Sequence, residues 1–312
     1  MDMNVVDQYS IRQLSEISGV NAVTIRAWER RYGLLKPSRT AKGHRFYTAD
    51  DIETVRNILI WLERGLAISK VRPLLNNEQL TTDASNSVNN HWQETVDHSL
   101  VLAQQFQREK LEQQISELFG NYPLDTLASN YFLPIRDALD RQSRQRFGGQ
   151  AEKIFFDSEL HTDLMSRIRH TNSNNNGERV LLLALDGQQH GIHALLLALA
   201  LLEAGYRLHC LFDACSLREI PYIIEQSQLH PAKSPGNNSL KAVICHSDSK
   251  QDIPQLEQEL VRAATHARVP FFLSGEWMNI TPTLRNLEGI TALEPSLRAS
   301  VATVSQSLRK NM

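Results

Sequence analysis

Four apolar runs, at residues 180–185, 208–212, 242–245 and 269–273, alternate with stretches of helical periodicity around 191–204, 216–229 and 254–266. A strand that is apolar throughout must be covered on both faces, and connections long enough to hold a helix permit parallel pairing. Residues 178–312 are therefore expected to form a doubly wound parallel α/β domain of Rossmann-like type.

Polar groups gather where such a sheet receives ligands, outside the carboxyl ends of its strands. On this strand assignment the rim holds Asp186, Gln188, His190 and His193 after the first run and Asp213 and Cys215 after the second. His246 and Ser247 follow the third, and Ser274, Gly275 and Glu276 the fourth. A helix-start or surface histidine without a ligand is the simplest reading of His190. Metal is another, since His190 and His193 at i and i+3, near Asp186 and His246, are ligand types that suit zinc or nickel. The spacing fixes no geometry, so no metal site is assigned.

Two polar stretches divide the rest. Residues 76–90 contain no aromatic residue and read as a linker, and 171–177 form an Asn/Ser run ending in Gly. Between them Val96, Leu100 and Ala103, then Leu111, Ile115, Leu118 and Phe119, repeat at helical spacing, so 91–170 are expected to form a helical bundle. A chain of 312 residues can give each module its own core. No apolar run approaches the roughly 20 residues that span a bilayer, and the first ten residues lack an apolar signal core, so a cytoplasmic protein with no membrane partner is expected. Cys210, Cys215 and Cys245 contain no C-x-x-C pair and are read as reduced thiols in or near the core.

Charge is divided unevenly. Residues 1–76 carry twelve Lys or Arg against eight Asp or Glu, leaving 21 against 27 for the remainder, although the whole chain has a formal net charge of only -2. Within residues 24–47 seven Lys or Arg meet a single acid, interleaved with Trp28, Tyr32, Phe46 and Tyr47. That mixture suits a surface that follows phosphates and reads a groove. Ahead of it Ile11, Leu14 and Ile17 share a helix face, Gly19-Val20-Asn21 makes a turn, and Asn21 can cap a second helix carrying Val23, Ile25 and Trp28. Residues 45–47 are expected to form a short strand, and Thr48 to start a helix whose Ile52, Val55, Ile58, Leu59 and Leu62 form one stripe. Residues 1–75 are thus expected to be a helix-turn-helix head. Its candidate DNA-binding residues are Thr24, Arg26 and Arg30 on the second helix, and Arg39, Lys42, His44 and Arg45 beyond it.

The stretch from Tyr9 to Tyr47 resembles the winged helix-turn-helix of MerR-family transcription regulators. Its Arg-Ala-Trp-Glu-Arg-Arg-Tyr-Gly and Gly-His-Arg-Phe-Tyr phrases are similar to those of the branch containing MlrA, CarH and LitR. The resemblance implies a dimer on pseudo-palindromic double-stranded promoter DNA, with RNA polymerase at the promoter. It places Thr24, Arg26 and Trp28 on the recognition helix and Arg39, His44, Arg45 and Tyr47 on the wing, which adds Trp28 and Tyr47 to the candidate DNA-binding residues; both have a second reading, as core residues. Lys42 stands where much of this branch has a first Gly.

Residues 91–297 resemble the cobalamin-binding domain of CarH-type regulators, whose D-x-H-x-x-G motif aligns with Gln188-Gln-His190-Gly-Ile-His193. The cobalt-ligating His is kept as His190, while Gln188 replaces the Asp that would orient it and His193 replaces the Gly. Ser247 and Gly275 are retained, with Ser274 in place of the first Gly of a pair, so the resemblance makes His190, His193, Ser247 and Gly275 the candidate ligand-binding residues. Ser158-Glu159 stands where light-sensing relatives carry Glu-His. A non-enzymatic regulator is therefore expected, with no Walker loop, nucleophile elbow or paired-carboxylate signature. Its cobalamin-binding-like domain is expected to have lost cobalamin and to sense another signal or mediate oligomerisation. The alternatives are a cobalamin-dependent, light-responsive regulator, and a small-molecule-binding α/β protein that uses the basic head for targeting.

Overall fold

A computed structural model describes residues 8–40, 43–75, 82–185, 192–229, 240–248, 256–275 and 282–310. The chain divides into two units, Met1–Leu160 and His161–Met312, the division falling inside a long helix.

The first unit begins with a helix-turn-helix. Ser10 and Gln13 form a capping box on α1 (Ile11–Ser18), and Gly19, at φ 72°, closes it in the left-handed conformation that glycine adopts without strain. The Asn21 side chain accepts the Thr24 N–H and opens α2 (Ala22–Ala27), which runs on into a π-helical turn, Trp28–Tyr32. β1 (Ser38–Arg39) and β2 (Arg45–Phe46) pair antiparallel as a wing. Thr48 and Asp51 cap α3 (Ala49–Glu63), and all five residues of its expected stripe are buried. α4 (Val71–Leu75) follows.

The helices of the bundle are α5 (Thr82–Gln104), α6 (Arg108–Asn121), α7 (Leu124–Leu127), α8 (Leu133–Gln145) and α9 (Gly149–Asn174). The expected core positions Val96, Leu100, Ala103, Leu111, Ile115, Leu118 and Phe119 are all buried. Two boundaries differ from expectation. α5 starts within the stretch read as a linker, because extending a helix already held by buried Trp92 and Val96 costs far less than nucleating one. α9 likewise continues through Asn174. There the Asn172 side chain donates to Leu208 O and accepts from Leu208 N, and Asn175 donates to Leu202 O and Tyr206 O. Asparagine satisfies backbone groups here instead of marking a loose link.

In the second unit the elements are β3 (Arg179–Leu185), α10 (Ile192–Glu203), β4 (Arg207–Cys215), α11 (Ile220–Leu229), β5 (Leu240–His246), α12 (Leu256–Ala267), β6 (Phe271–Ser274), β7 (Ile290–Ala292) and α13 (Leu297–Lys310). All strands are parallel, in the order β4-β3-β5-β6-β7. This is the doubly wound order of flavodoxin-like sheets. β7 was not expected, since three residues of mixed burial leave almost no pattern to read. α11 and α12 cover Leu181, Leu183, Val243 and Cys245. By the right-handed crossover rule α10 lies on the other face, and α13 packs against α10. Cys245 is buried and Cys210 and Cys215 are half-buried, all three as free thiols. Burial pushes the Cys210 thiol up to about 12, which keeps it protonated and unreactive.

Candidate nucleic-acid interface and sheet-rim cluster

α2 packs between α1 of the head and α6 of the bundle, and with its π turn it buries Thr24, Ile25, Ala27 and Trp28. The solvent face is consequently Val23, Arg26 and Arg30, at i, i+3 and i+7, with Val23 63% exposed. Thr24 and Trp28 were expected on the DNA side and lie fully buried instead. The Thr24 hydroxyl is buried without a hydrogen-bond partner among the described residues. Trp28 donates its indole N–H to Asn121 O on the bundle at 2.8 Å, and Arg31 reaches the same residue's side-chain oxygen at 3.2 Å. Of its two readings, Trp28 takes the core one.

The wing divides in the same way. Arg39 and His44 are exposed, and their turn closes through Thr40 N–H to His44 O and Gly43 N–H to Thr40 O, with Gly43 at φ 83°. Tyr47 is fully buried, paired through its backbone with Tyr9 at 2.8 Å in both directions. Burial raises the pKa of its hydroxyl. Arg45, expected to contact DNA, is half-buried and directs Nε to both carboxylate oxygens of Glu29 at 3.1 and 2.8 Å. That pair ties the wing to the π turn. Lys42 lies outside the described residues.

Sequence reasoning missed Val23 and Glu29. Val23 is legible afterwards: it stands two positions from Ile25, about 200° around a helix, so both cannot face one core.

On the second unit a cluster spans the rim at the boundary between β3 and β5, where the sheet's winding reverses. His193, on the first turn of α10, places Nδ1 3.1 Å from Asp248 Oδ2. His246, the last residue of β5, places Nε2 3.2 Å from Asp248 Oδ1 and Nδ1 2.7 Å from the Ser274 hydroxyl. Burial alone would raise the Asp248 carboxyl, but the two histidines hold it well below the usual carboxylate range. Ser247 and Ser274 are buried, and Ser247 N–H donates to Ser274 O at 3.1 Å. Gly275 has φ 108°, and a Cβ there would stand 2.1 Å from Ser247 O, so this approach of β6 to the end of β5 requires glycine.

Three of the four expected ligand-binding residues, His193, Ser247 and Gly275, therefore lie at one rim. His190, Asp186 and Gln188 lie outside the described residues. Among the described residues no group of three or more His, Cys, Asp or Glu has a metal-holding arrangement. Asp248 carries no signal in sequence, since only the fold sets it beside His193. A separate open groove of about 720 Å³ involves Pro221, Glu225, Arg262 and Arg268, none of them an expected site residue.

A winged helix-turn-helix with an exposed basic row thus stands in a chain that also holds a helical bundle and a doubly wound sheet. Residues 9–78 match the family described as MerR HTH family regulatory protein, so the chain carries a MerR-type helix-turn-helix domain. It is homologous to the HTH-type transcriptional regulator MlrA of Escherichia coli K12, 38% identical over 134 residues that make up 43% of this chain and 53% of that protein. It is also 43% identical over 67 residues to the HTH-type transcriptional repressor CarH of Myxococcus xanthus, 22% of either protein. The chain thus spans about half the length of MlrA. Among solved structures, a cobalamin-binding protein from Desulfitobacterium hafniense DCB-2 aligns with 70% of this chain and 91% of its own at 12% identity and a TM-score of 0.32. A likeness that slight carries no further conclusion.

Proposed function

We propose that this chain is a cytoplasmic, non-enzymatic transcription regulator that binds double-stranded promoter DNA as a homodimer or higher homo-oligomer, with RNA polymerase as its partner at the promoter. The observation that carries the reading is the exposed Val23, Arg26 and Arg30 row beside a wing presenting Arg39 and His44. Arg suits this position because its planar fork binds phosphate or guanine through two nitrogens. No helix among the described residues is long and apolar enough to cross a membrane, which accords with a partner in solution. The test is a gel shift with the full chain on a promoter duplex at rising salt. If each copy of a dimer makes three to five phosphate contacts, affinity falls by about 10³-fold or more between 50 and 200 mM salt. Binding that is absent, or insensitive to salt, rejects the reading.

For the α/β unit we favour a signal other than cobalamin, or a role in assembly. At the rim His193 pairs with Asp248 and His246 with Ser274, His246 Nε2 lies 3.2 Å from Asp248, and the Gly275 backbone is seated against Ser247. These described residues do not fit a buried nucleotide tail. The cobalamin-dependent reading keeps one supporting observation, the position of His193, Ser247 and Gly275 at the winding reversal where such sheets take ligands. Mixing the chain with adenosylcobalamin separates the two. Retained visible absorbance after gel filtration supports the cofactor, and colourless protein supports its loss.

A further inference from the structure

Val23 interrupts an otherwise charged face. It leads the row that continues with Arg26 and Arg30, and it is 63% exposed although β-branched and apolar. Single exposed apolar residues are ordinary on a protein surface. This one occupies the second residue of α2, in the N-terminal turn through which a recognition helix reaches base edges. A valine in a helix is nearly confined to one χ1 rotamer, so its methyl groups are presented without much further loss of freedom.

In the major groove the apolar feature that base edges offer is the C5-methyl of thymine. We propose that Val23 packs on a thymine methyl in each half-site, next to the base or phosphate that Arg26 contacts, and so fixes one letter of the operator. The proposal rests on the DNA-binding reading above and adds the base that this position selects. Arg26 and Arg30 supply charge and paired N–H donors, whereas Val23 discriminates between a pyrimidine that carries a methyl and one that does not.

The test uses the full chain and a duplex enriched by it from a randomised double-stranded DNA library. Each thymine is replaced in turn by deoxyuridine, which removes the methyl and leaves every hydrogen-bonding group. At one thymine per half-site the replacement weakens wild-type binding by about fourfold, the effect of one buried methyl-sized group. Val23→Ala binds the thymine and deoxyuridine duplexes equally, near the wild-type affinity for a duplex carrying deoxyuridine at that position in both half-sites. Ile17→Ala, which changes an exposed apolar residue of α1, keeps the full fourfold difference. The proposal is overturned if no thymine shows the effect in wild type, or if Val23→Ala retains it at the same thymine. Loss of affinity in Arg26→Ala alongside either result leaves the DNA-binding reading standing and removes this one. A chain that enriches no sequence at all overturns both.

Discussion

Trp28 shows how a side chain typical of a groove-reading segment can belong to the core. Its ring is fully buried and its N–H is used by the Asn121 carbonyl, so Trp28→Phe keeps most of the packing but strands a buried acceptor. We expect a loss of about 1 to 3 kcal/mol in chemical denaturation, with DNA affinity unchanged under conditions where the variant is folded. A folded Trp28→Phe variant with much weaker binding would return this residue to the interface. Arg26→Ala should show the opposite pattern, losing about 1 to 3 kcal/mol of binding if the side chain makes a bidentate base contact, with little change in stability. At the rim, Asp248 has a carboxyl pKa held below its unfolded value near 3.9. Its contribution is therefore present above about pH 4 and lost as pH falls through the folded value. Asp248→Asn should flatten the acid side of the stability profile of the His161–Met312 unit, and an unchanged profile would mean that the histidines do not stabilise the charge.

Among the elements, those with strong periodicity were legible. The α3 stripe, the bundle positions and four of the five sheet strands lie where apolar spacing puts them, because each buries a face that sequence displays directly. β7 was not legible, since register with β6 decides it and three residues cannot announce it. The polar start of α5 was misread because its stability comes from later turns of the same helix. The candidate interface was legible as a segment and not as a face. Composition located residues 24–47, but the rotation of α2, and with it the exchange of Thr24 for Val23, depends on which side meets the core. Between α5 and α6, His91 Nε2 lies 2.8 Å from the Tyr122 hydroxyl, which also accepts the Ile68 N–H at 3.3 Å. Burial lowers the His91 pKa and raises that of Tyr122 to about 12, so both groups are held neutral. The His91 contribution is full above its unfolded value near 6.5 and is lost as pH falls through the lower folded value. The melting temperature of the Met1–Leu160 unit should therefore drop between pH 7.5 and pH 5, and His91→Gln should remove part of that dependence.

At the scale of the molecule, basic groups concentrate in a chain that is almost neutral overall, so long-range attraction to DNA has to come from the head. In the body, His193 and His246 both approach Asp248 at the rim, a grouping that was not legible because Asp248 gains meaning from the fold alone. The most direct measurement of the central claim is the affinity of the full chain, wild type and Arg26→Ala, for the duplex it enriches from random DNA, compared with an unrelated duplex at the same salt. We predict that wild type prefers the enriched duplex by at least about 10³-fold and that Arg26→Ala loses about fivefold or more of that affinity. Equal affinity of wild type for both duplexes, or equal affinity of both proteins for the enriched one, would contradict the assignment of the Val23, Arg26 and Arg30 face as the DNA-reading surface.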